Sequence, residues 1–433
     1  MRKKVVIVGA GPCGLLLAHY LLRRNDRYQI EIYDRLSDPR TLLASQTRSF
    51  PITLSHRGKN ALAKIDGLLE AVASQGSNIQ GSVLRQPKGK RRFIRLTRDI
   101  LVVDRHRLVN NLLSHLTQKY DSSQLNIYFN YQCTQVDVKA KQVKFQKNGE
   151  AAEITVACDL LIGADGARSA VRTCFLNTHL FDLQQTYFTD DYKSLYFPSL
   201  KNEETGIGLE PSCVHTWQSE TSTRLLMVPL ADGTCCGTLI FARNNHEVLS
   251  LTTTTQVREF FDRNFPAASH LIPDTEIEDF LQRPIARVLT IRCNRYHNDD
   301  WVLIIGDAAH AVSPSMGQGC NAALEDVVIF DSLLDEYEDN FAKALPEFTN
   351  RRVADAQALW ELSETAFPPS KALFAEFLFR RSFARIMHKI LPQWFPLLPF
   401  DLVRDSNLSY SEVLKLNAGW VSKVKKAKGL LKV

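Results

Sequence analysis

The chain has 433 residues, 45% hydrophobic and 23% charged, the proportions of an ordinary folded protein with room for two or three domains. A net charge of +6 is modest for this length and gives no case for a nucleic-acid partner, and no apolar run is long enough for a transmembrane helix. Nine scattered cysteines, an odd number without a C-x-x-C pair, argue against a disulfide framework and read as reduced thiols packed as small apolar groups. The basic N-terminus and the apolar run after it superficially suggest a signal peptide. Glycines and Pro12 interrupt that run, and it is needed as a strand, so the expected location is cytoplasmic.

Val5 to Val8 is a short β-branched run, the pattern of a buried parallel strand. Gly9, Gly11 and Gly14 follow at G-x-G-x-x-G spacing, then a helix over Leu15 to Arg24 and a second strand, Ile30 to Tyr33, ending at Asp34. Gly9 permits a tight turn, Gly11 lets backbone approach a pyrophosphate, and Gly14 lets helix pack on strand. The helix start offers free N–H groups to phosphate, and Asp34 lies twenty residues after Gly14, where a ribose diol would sit. The glycines alone are a weak signal. Strand, helix and acid in the right order make it a strong one.

A polar loop to Ser49 and a short helix around Asn60 to Ala71 come next. The basic stretch Arg85 to Arg98, with Phe93, Ile94 and Leu96 interleaved, reads as a solvated hairpin. Ile100 to Val103 is a strand leading to a helix capped by Asp104, with Arg105 in its first turn. The patterns near Leu125 to Phe129 and Val143 to Val156 resemble a meander. A strand, Leu160 to Ile162, then runs into Gly163-Ala-Asp165-Gly166 and a helix carrying Ser169 and Arg172. That turn falls at the carboxyl end of a strand, where open α/β sheets bind ligands.

From about Tyr187 to Thr290 many short strand-like runs, with one helix near Thr255 to Phe265, indicate an inserted, mainly antiparallel sheet. A third strand-to-turn stretch, Trp301 to Gly306-Asp307, precedes Gly317-Gln-Gly319 and a helix. Its small residues let backbone approach a flat ring, and the helix would point its positive end there. His310 reads as structural, because the sequence offers it no evident partner. Ala344 to Glu364 is helical with Pro346 in its first turn, and the chain after Phe367 is helical and rich in aromatics. The basic tail, Lys423 to Val433, could touch a membrane surface weakly. The expected fold is therefore α/β. A Rossmann-like dinucleotide domain spans 1–75, 98–180 and 291–365, a β-sheet domain 76–97 and 181–290, and a helical region 366–433.

The three glycine–aspartate stretches, in this order and at these separations, resemble the single-component FAD-dependent aromatic hydroxylases, whose nucleotide domain is of the glutathione-reductase type. Thr53-Leu-Ser-His-Arg-Gly, Phe181-Asp-Leu-Gln-Gln-Thr-Tyr, Leu209-Glu-Pro with His215-x-Trp217, Gly317-Gln-Gly-x-Asn321 and Leu408-Ser-Tyr-Ser-Glu-Val are similar to kynurenine 3-monooxygenases. The resemblance implies FAD bound by Gly9, Gly11, Gly14, Asp34, Thr53, Arg105, Asp165, Gly166, Asp307, Gly319, Cys320 and Asn321. It implies NADPH or NADH docking transiently, and oxygen from O2 entering a small aromatic ring. No metal and no catalytic acid or nucleophile is assigned. Where that family grips a substrate carboxylate with arginine and tyrosine, this chain aligns Gln80 and Phe93; either Arg85, Arg91 or Arg92 restores an anion clamp, or the substrate is a different, less charged aromatic or isoprenoid. Tyr410 matches a second pocket tyrosine, and Pro314 and Met316 lie where an aromatic pair is usual. A flavin-dependent reductase of the geranylgeranyl-reductase kind and a non-catalytic flavin-binding protein are the alternatives.

Overall fold

The computed structural model describes residues 2–24, 26–41, 50–85, 90–176, 178–201, 208–221 and 223–430. Its first sheet has six strands in the spatial order His297–Asn298, Val302–Ile304, Leu160–Gly163, Lys3–Val8, Tyr28–Asp34 and Leu125–Phe129. All pairs are parallel except the one made by His297–Asn298 at the edge. Parallel strands need long crossovers. Here the helix Pro12–Leu22 makes one of them, and a three-stranded meander, Tyr131–Asp137, Gln142–Lys147 and Glu153–Ala157, makes another. Leu125–Phe129 therefore belongs to the parallel sheet and not to the meander, a correction to the sequence reading. The short run was ambiguous, since only its partner distinguishes a sheet edge from a meander strand.

Both faces of this sheet are covered, which explains the unbroken apolar run Val5 to Val8. On one face Tyr33 stacks on Phe145 of the meander, ring centroids 3.9 Å apart. Pro12–Leu22 is buried almost all round, because Arg105–Lys119 and Gly319–Glu336 pack on it as well. After Asp165 the expected helix is only a 3₁₀ turn, Val171–Phe175.

The second sheet has eight strands in the order Ala286–Cys293, Leu183–Phe197, Cys235–Ala242, Arg224–Pro229, Cys213–Gln218, Ser77–Arg85, Arg91–Asp104 and Pro51–Leu54. It is antiparallel apart from Cys213–Gln218 beside Ser77–Arg85. The basic stretch is thus one side of a hairpin inside a large sheet, and residues 86–89 lie outside the described residues. The sequence-based limits at 97/98 and 290/291 fall inside Arg91–Asp104 and Ala286–Cys293, which run on toward the nucleotide domain. Four short helices between residues 246 and 282 cover one face, packing Phe260, Phe261 and Phe280 on Trp217, Leu225 and Met227.

The C-terminal part is four helices, Lys371–Ile390, Pro399–Asp405, Tyr410–Leu416 and Ala418–Ala427. The preceding helix, Phe341–Glu364, starts one turn earlier than expected, so Pro346 lies inside it rather than in its first turn. Lys371–Ile390 presents an outward apolar stripe, Phe379, Phe383, Ile386 and Ile390, continued by Trp394, which is 77% exposed. On its other side Asp401, fully buried, accepts hydrogen bonds from Arg381, Arg385 and Arg404. Burial alone would raise its pKa, but the hydrogen bonds and charges of Arg381 and Arg385 outweigh that and hold it at about 2. A carboxylate depressed on folding stabilises at all pH values above its unfolded pKa, and that share is lost as pH falls through the folded pKa. The melting temperature is therefore expected to drop between about pH 4 and pH 2 in the native chain. Asp401→Asn should flatten that part of a pH–Tm profile measured by circular dichroism.

Candidate active site

The three glycine–aspartate turns leave the carboxyl ends of three adjacent strands, Lys3–Val8, Leu160–Gly163 and Val302–Ile304. Ala164 N–H donates to Val8 at 2.8 Å and Ile305 N–H donates to Gly163 at 2.9 Å, so each turn is pinned to its neighbour. Gly9 has φ +107°, and a Cβ there would lie 2.4 Å from the Ala164 carbonyl oxygen. Arg172, buried, closes the set by donating to the carbonyls of Ala167 at 2.8 Å and Ala308 at 2.7 Å. Cys13 donates to the Ala323 carbonyl at 3.2 Å, tying the first helix to Gly319–Glu336. All nine cysteines are free.

Gly11 caps the first helix without a side chain, and a Cβ there would meet nothing within 4 Å. Gln318 likewise leaves the start of Gly319–Glu336 without a side-chain cap. The first of these uncapped helix starts opens onto free space and the second stands beside Val312 and Asp307; such helix ends are the arrangement that receives anionic or electron-rich ligands. Asp34 accepts from the N–H groups of Ala10 at 2.7 Å and Leu36 at 2.8 Å, one on each oxygen, which leaves each oxygen a second lone pair. Asp307 is accessible, yet protein surrounds it closely enough that burial raises its pKa against the opposing charges of His310 and Arg105. An accessible carboxylate with that much protein around it lines a recess.

Asp165 turns inward instead. Its Oδ2 accepts from Ala170 N–H at 2.6 Å and Val171 N–H at 3.2 Å, so it shapes its own loop beside the open Gly166. Asn321, fully buried, accepts from Ser55 N–H at 2.9 Å and donates to the carbonyls of Thr53 at 2.7 Å and Gly317 at 3.0 Å. It thereby fixes the second sheet's edge strand against the Gly317 loop. Burial pushes the Cys320 thiol up to about 12, so it stays protonated at neutral pH.

His310 has the partner that the sequence did not reveal. Its Nε2 lies 2.6 Å from Asp326 Oδ2, and that oxygen also accepts from Gly306 N–H at 2.9 Å. Arg352 donates to the other oxygen at 2.7 Å. Asp326 sits one helical turn beyond Ala322 on the face turned inward, a periodicity that could have flagged it as a buried acid.

Of the residues expected in a substrate pocket, Pro314, Met316 and Tyr410 lie together around the turn before Gly317, whereas Gln80 and Phe93 lie on the hairpin of the second sheet. Gln80 occupies a bulge where its own N–H and that of Gly81 both donate to Ser212, and its side chain is exposed. Phe93 pairs with Val83 and lies over Gly81, on the face of His215 and Trp217. Thr53, paired with Val102, is on the opposite face toward Gly317. Pro314 is exposed and Met316 half-buried in the turn before Gly317, and Met316 packs against the C-terminal cluster. Tyr410 is fully buried behind that turn, its hydroxyl 3.3 Å from Gln318 Oε1.

The FAD binding domain family matches residues 2–361. Kynurenine 3-monooxygenase of Neurospora crassa is 32% identical over 454 residues, covering 96% of this chain and 88% of that protein. This chain belongs to the kynurenine 3-monooxygenase family. The Sus scrofa member is 29% identical over 429 residues, with 98% of this chain and 88% of that protein covered. Among solved structures, 2-methyl-3-hydroxypyridine-5-carboxylic acid oxygenase superposes with a TM-score of 0.69 at 18% identity, over 84% of this chain and 90% of that one. At that identity the likeness speaks for the fold. As a member of this family of FAD-dependent monooxygenases, the chain takes FAD as its cofactor. No helix among the described residues is long and apolar enough to cross a membrane.

Asn321→Leu should orphan the Thr53 carbonyl and the Ser55 N–H, costing about 1–3 kcal/mol for each buried group. Urea unfolding of the flavin-free protein is the measurement. Gly11→Ala, in the same assay, should leave stability within about 0.5 kcal/mol because its Cβ enters empty space.

Proposed function

We propose that the chain uses NADPH or NADH and O2 to hydroxylate a small aromatic substrate, with the family's carboxylate clamp altered at Gln80 and Phe93. The observation that supports this is the convergence of three glycine–aspartate turns at the carboxyl ends of three adjacent parallel strands. Bound FAD supplies hydride acceptance and activation of O2. The chain's residues hold and shield the reacting groups. The Gly9, Gly11 and Gly14 turn and the helix it opens receive the phosphates, while Asp34 takes the ribose through its spare lone pairs. Arg105 stands on the phosphate side, and Asp307 takes ribityl hydroxyls in its recess. Gly319, Cys320 and Asn321 lie under the ring, where the helix end stabilises negative charge. Thr53 closes the pocket above Gly317, and Asp165 with Gly166 shapes the edge that both nucleotides approach. No titratable group needs to act as a strong acid. His310 is held by Asp326, and the Cys13 and Cys320 thiols remain neutral.

We also propose a cytoplasmic protein that touches anionic membranes reversibly. The basic tail supports this, and the apolar stripe Phe379, Phe383, Ile386, Ile390 and Trp394 adds the surface that such contact needs. The residues Leu431 to Val433 of the tail lie outside the described residues.

Gly11→Val and Asp307→Ala should each lose most bound flavin while the flavin-free protein melts as the parent does, read as the ratio of flavin to protein absorbance. Full retention in both would overturn the assignment. With ¹⁸O2, label should enter the product, and unlabelled reduced product would instead mark a reductase. Phe383→Asp with Ile386→Asp should abolish co-flotation with phosphatidylserine vesicles; unchanged flotation would remove the stripe from membrane contact.

A further inference from the structure

The third glycine–aspartate turn is fastened at both ends to one atom. Gly306, at φ +57° and ψ −139°, opens the single helical turn Asp307–His310, and its N–H donates to Asp326 Oδ2 at 2.9 Å. His310 closes the turn, and its Nε2 lies 2.6 Å from the same oxygen. Burial would raise the Asp326 pKa, but the charges of His310 and Arg352 hold it below the ordinary carboxylate range. An ionised carboxylate only accepts, so His310 donates there from Nε2. Between the two fastened ends Arg172 holds the Ala308 carbonyl at 2.7 Å, and Asp307 stands on the accessible side.

The hydrogen bond alone would make His310 a brace. The charges around it add a second task. Among the described residues the carboxylates of Asp326, Glu325 and Asp355 share two guanidinium groups, Arg352 and Arg57, so a cationic imidazole at Asp326 is a matched charge. Asp307 lies three residues before His310, the spacing that puts two side chains on one side of a helical turn. Burial raises the Asp307 pKa, and of the charges that oppose this, His310 comes ahead of Arg105. Asp326 pushes the same way as burial. The other titratable groups facing the pair are the thiols of Cys13 and Cys320 and the Tyr296 ring, its centroid 5.7 Å from that of His310, and burial keeps all three protonated.

We propose that His310 is a positioning residue for the flavin: it fastens the Asp307 turn to Asp326, and in acid its imidazolium charge keeps the Asp307 carboxylate ionised toward the ribityl hydroxyls. This rests on the placement of Asp307 proposed above and adds the group that sets its charge. An ionised acceptor makes a hydrogen bond roughly twice as strong as a neutral one. The two titrations offset each other. An ordinary histidine is cationic below about pH 6.5, the range in which an enclosed carboxylate would otherwise take up a proton. Above that range the imidazole is neutral, and Asp307 is ionised without it. Flavin affinity is thereby insulated from pH.

The test uses the flavin-loaded full-length protein, diluted in series at pH 6 and pH 8, with the dissociation constant read from the fluorescence of released FAD. In the parent the two constants should agree within about twofold. His310→Gln keeps a side-chain N–H for Asp326 and has no charge. It should hold FAD within about threefold of the parent at pH 8, and about tenfold less tightly at pH 6 than at pH 8. His310→Asn, with the same donor on a shorter arm, takes its place if the glutamine variant does not fold. In the Asp307→Asn background, where no carboxylate is left to protect, His310→Gln should bring no pH dependence. Equal weakening at both pH values is the mark of a brace alone and overturns the proposal. So does a variant as flat as the parent, a parent that itself loses about tenfold between pH 8 and pH 6, or a pH dependence that persists without Asp307. Failure of the underlying placement looks different: Asp307→Asn alone would hold FAD as tightly as the parent at both pH values, which removes Asp307 from the flavin and the proposal with it.

Discussion

The backbone at Gly9 passes so close to Ala164 that no side chain fits between them, and the rest of the nucleotide site follows from that approach. Adjacent parallel strands lie about 4.8 Å apart, so turns that leave their carboxyl ends together compete for the same space. Glycine at the first turn resolves the conflict, and Gly163 does the same between Val171 and Ile304. Arg172 then bridges the second and third turns through two carbonyls. The acids and helix ends are consequently held by main chain rather than by flexible side chains. That is how a site is kept within the tolerance that catalysis by positioning demands.

The parts of this architecture that were legible in the sequence are the ones with local periodicity. Val5 to Val8 as a buried strand, the tight turn at Gly9, Asp34 at a strand end, Asp104 as a helix cap, and the strand-to-turn step at Gly306-Asp307 each declare themselves within a few residues, and the structure has them in those places. What escaped depends on partners far away in the chain. Leu125–Phe129 could be placed only by its pairing with Tyr28–Asp34. His310 could be placed only by Asp326, sixteen residues on and one strand-to-helix crossover away. Phe93 faces away from Leu96, Ile100 and Val102 by the ordinary alternation of its own strand, and a bulge at Gln80 that propensity does not mark turns Val83 and Arg85 to that same face. Family resemblance carries identity along a strand, and it does not carry the register that decides where a side chain points.

Beneath the Gly317 loop lies a chain of buried charge. Asp326 takes Gly306 N–H, His310 and Arg352. Arg352 continues to Glu325 and Asp355, and Glu325 to Arg57. Such a network is poor evidence of net stability, since each member has given up water. Its effect is specificity of arrangement, because Asp326 and Arg352 each serve several partners and removal of either leaves buried charge poorly matched. It ties the start of Gly319–Glu336 to Phe341–Glu364, so the loop between the third turn and that helix rests on a fixed floor.

The same network reaches past the family's matched domain. Arg57 donates to the Leu408 carbonyl and lies over the Tyr410 ring, Asp355 accepts from Ser411 N–H, and Tyr410 meets Gln318. Residues near the far end of the chain thus latch the start of the helix Gly319–Glu336. Trimming the protein after the segment that carries the glycine–aspartate motifs would unhook that latch. A fragment that keeps this network whole must extend through Tyr410–Leu416.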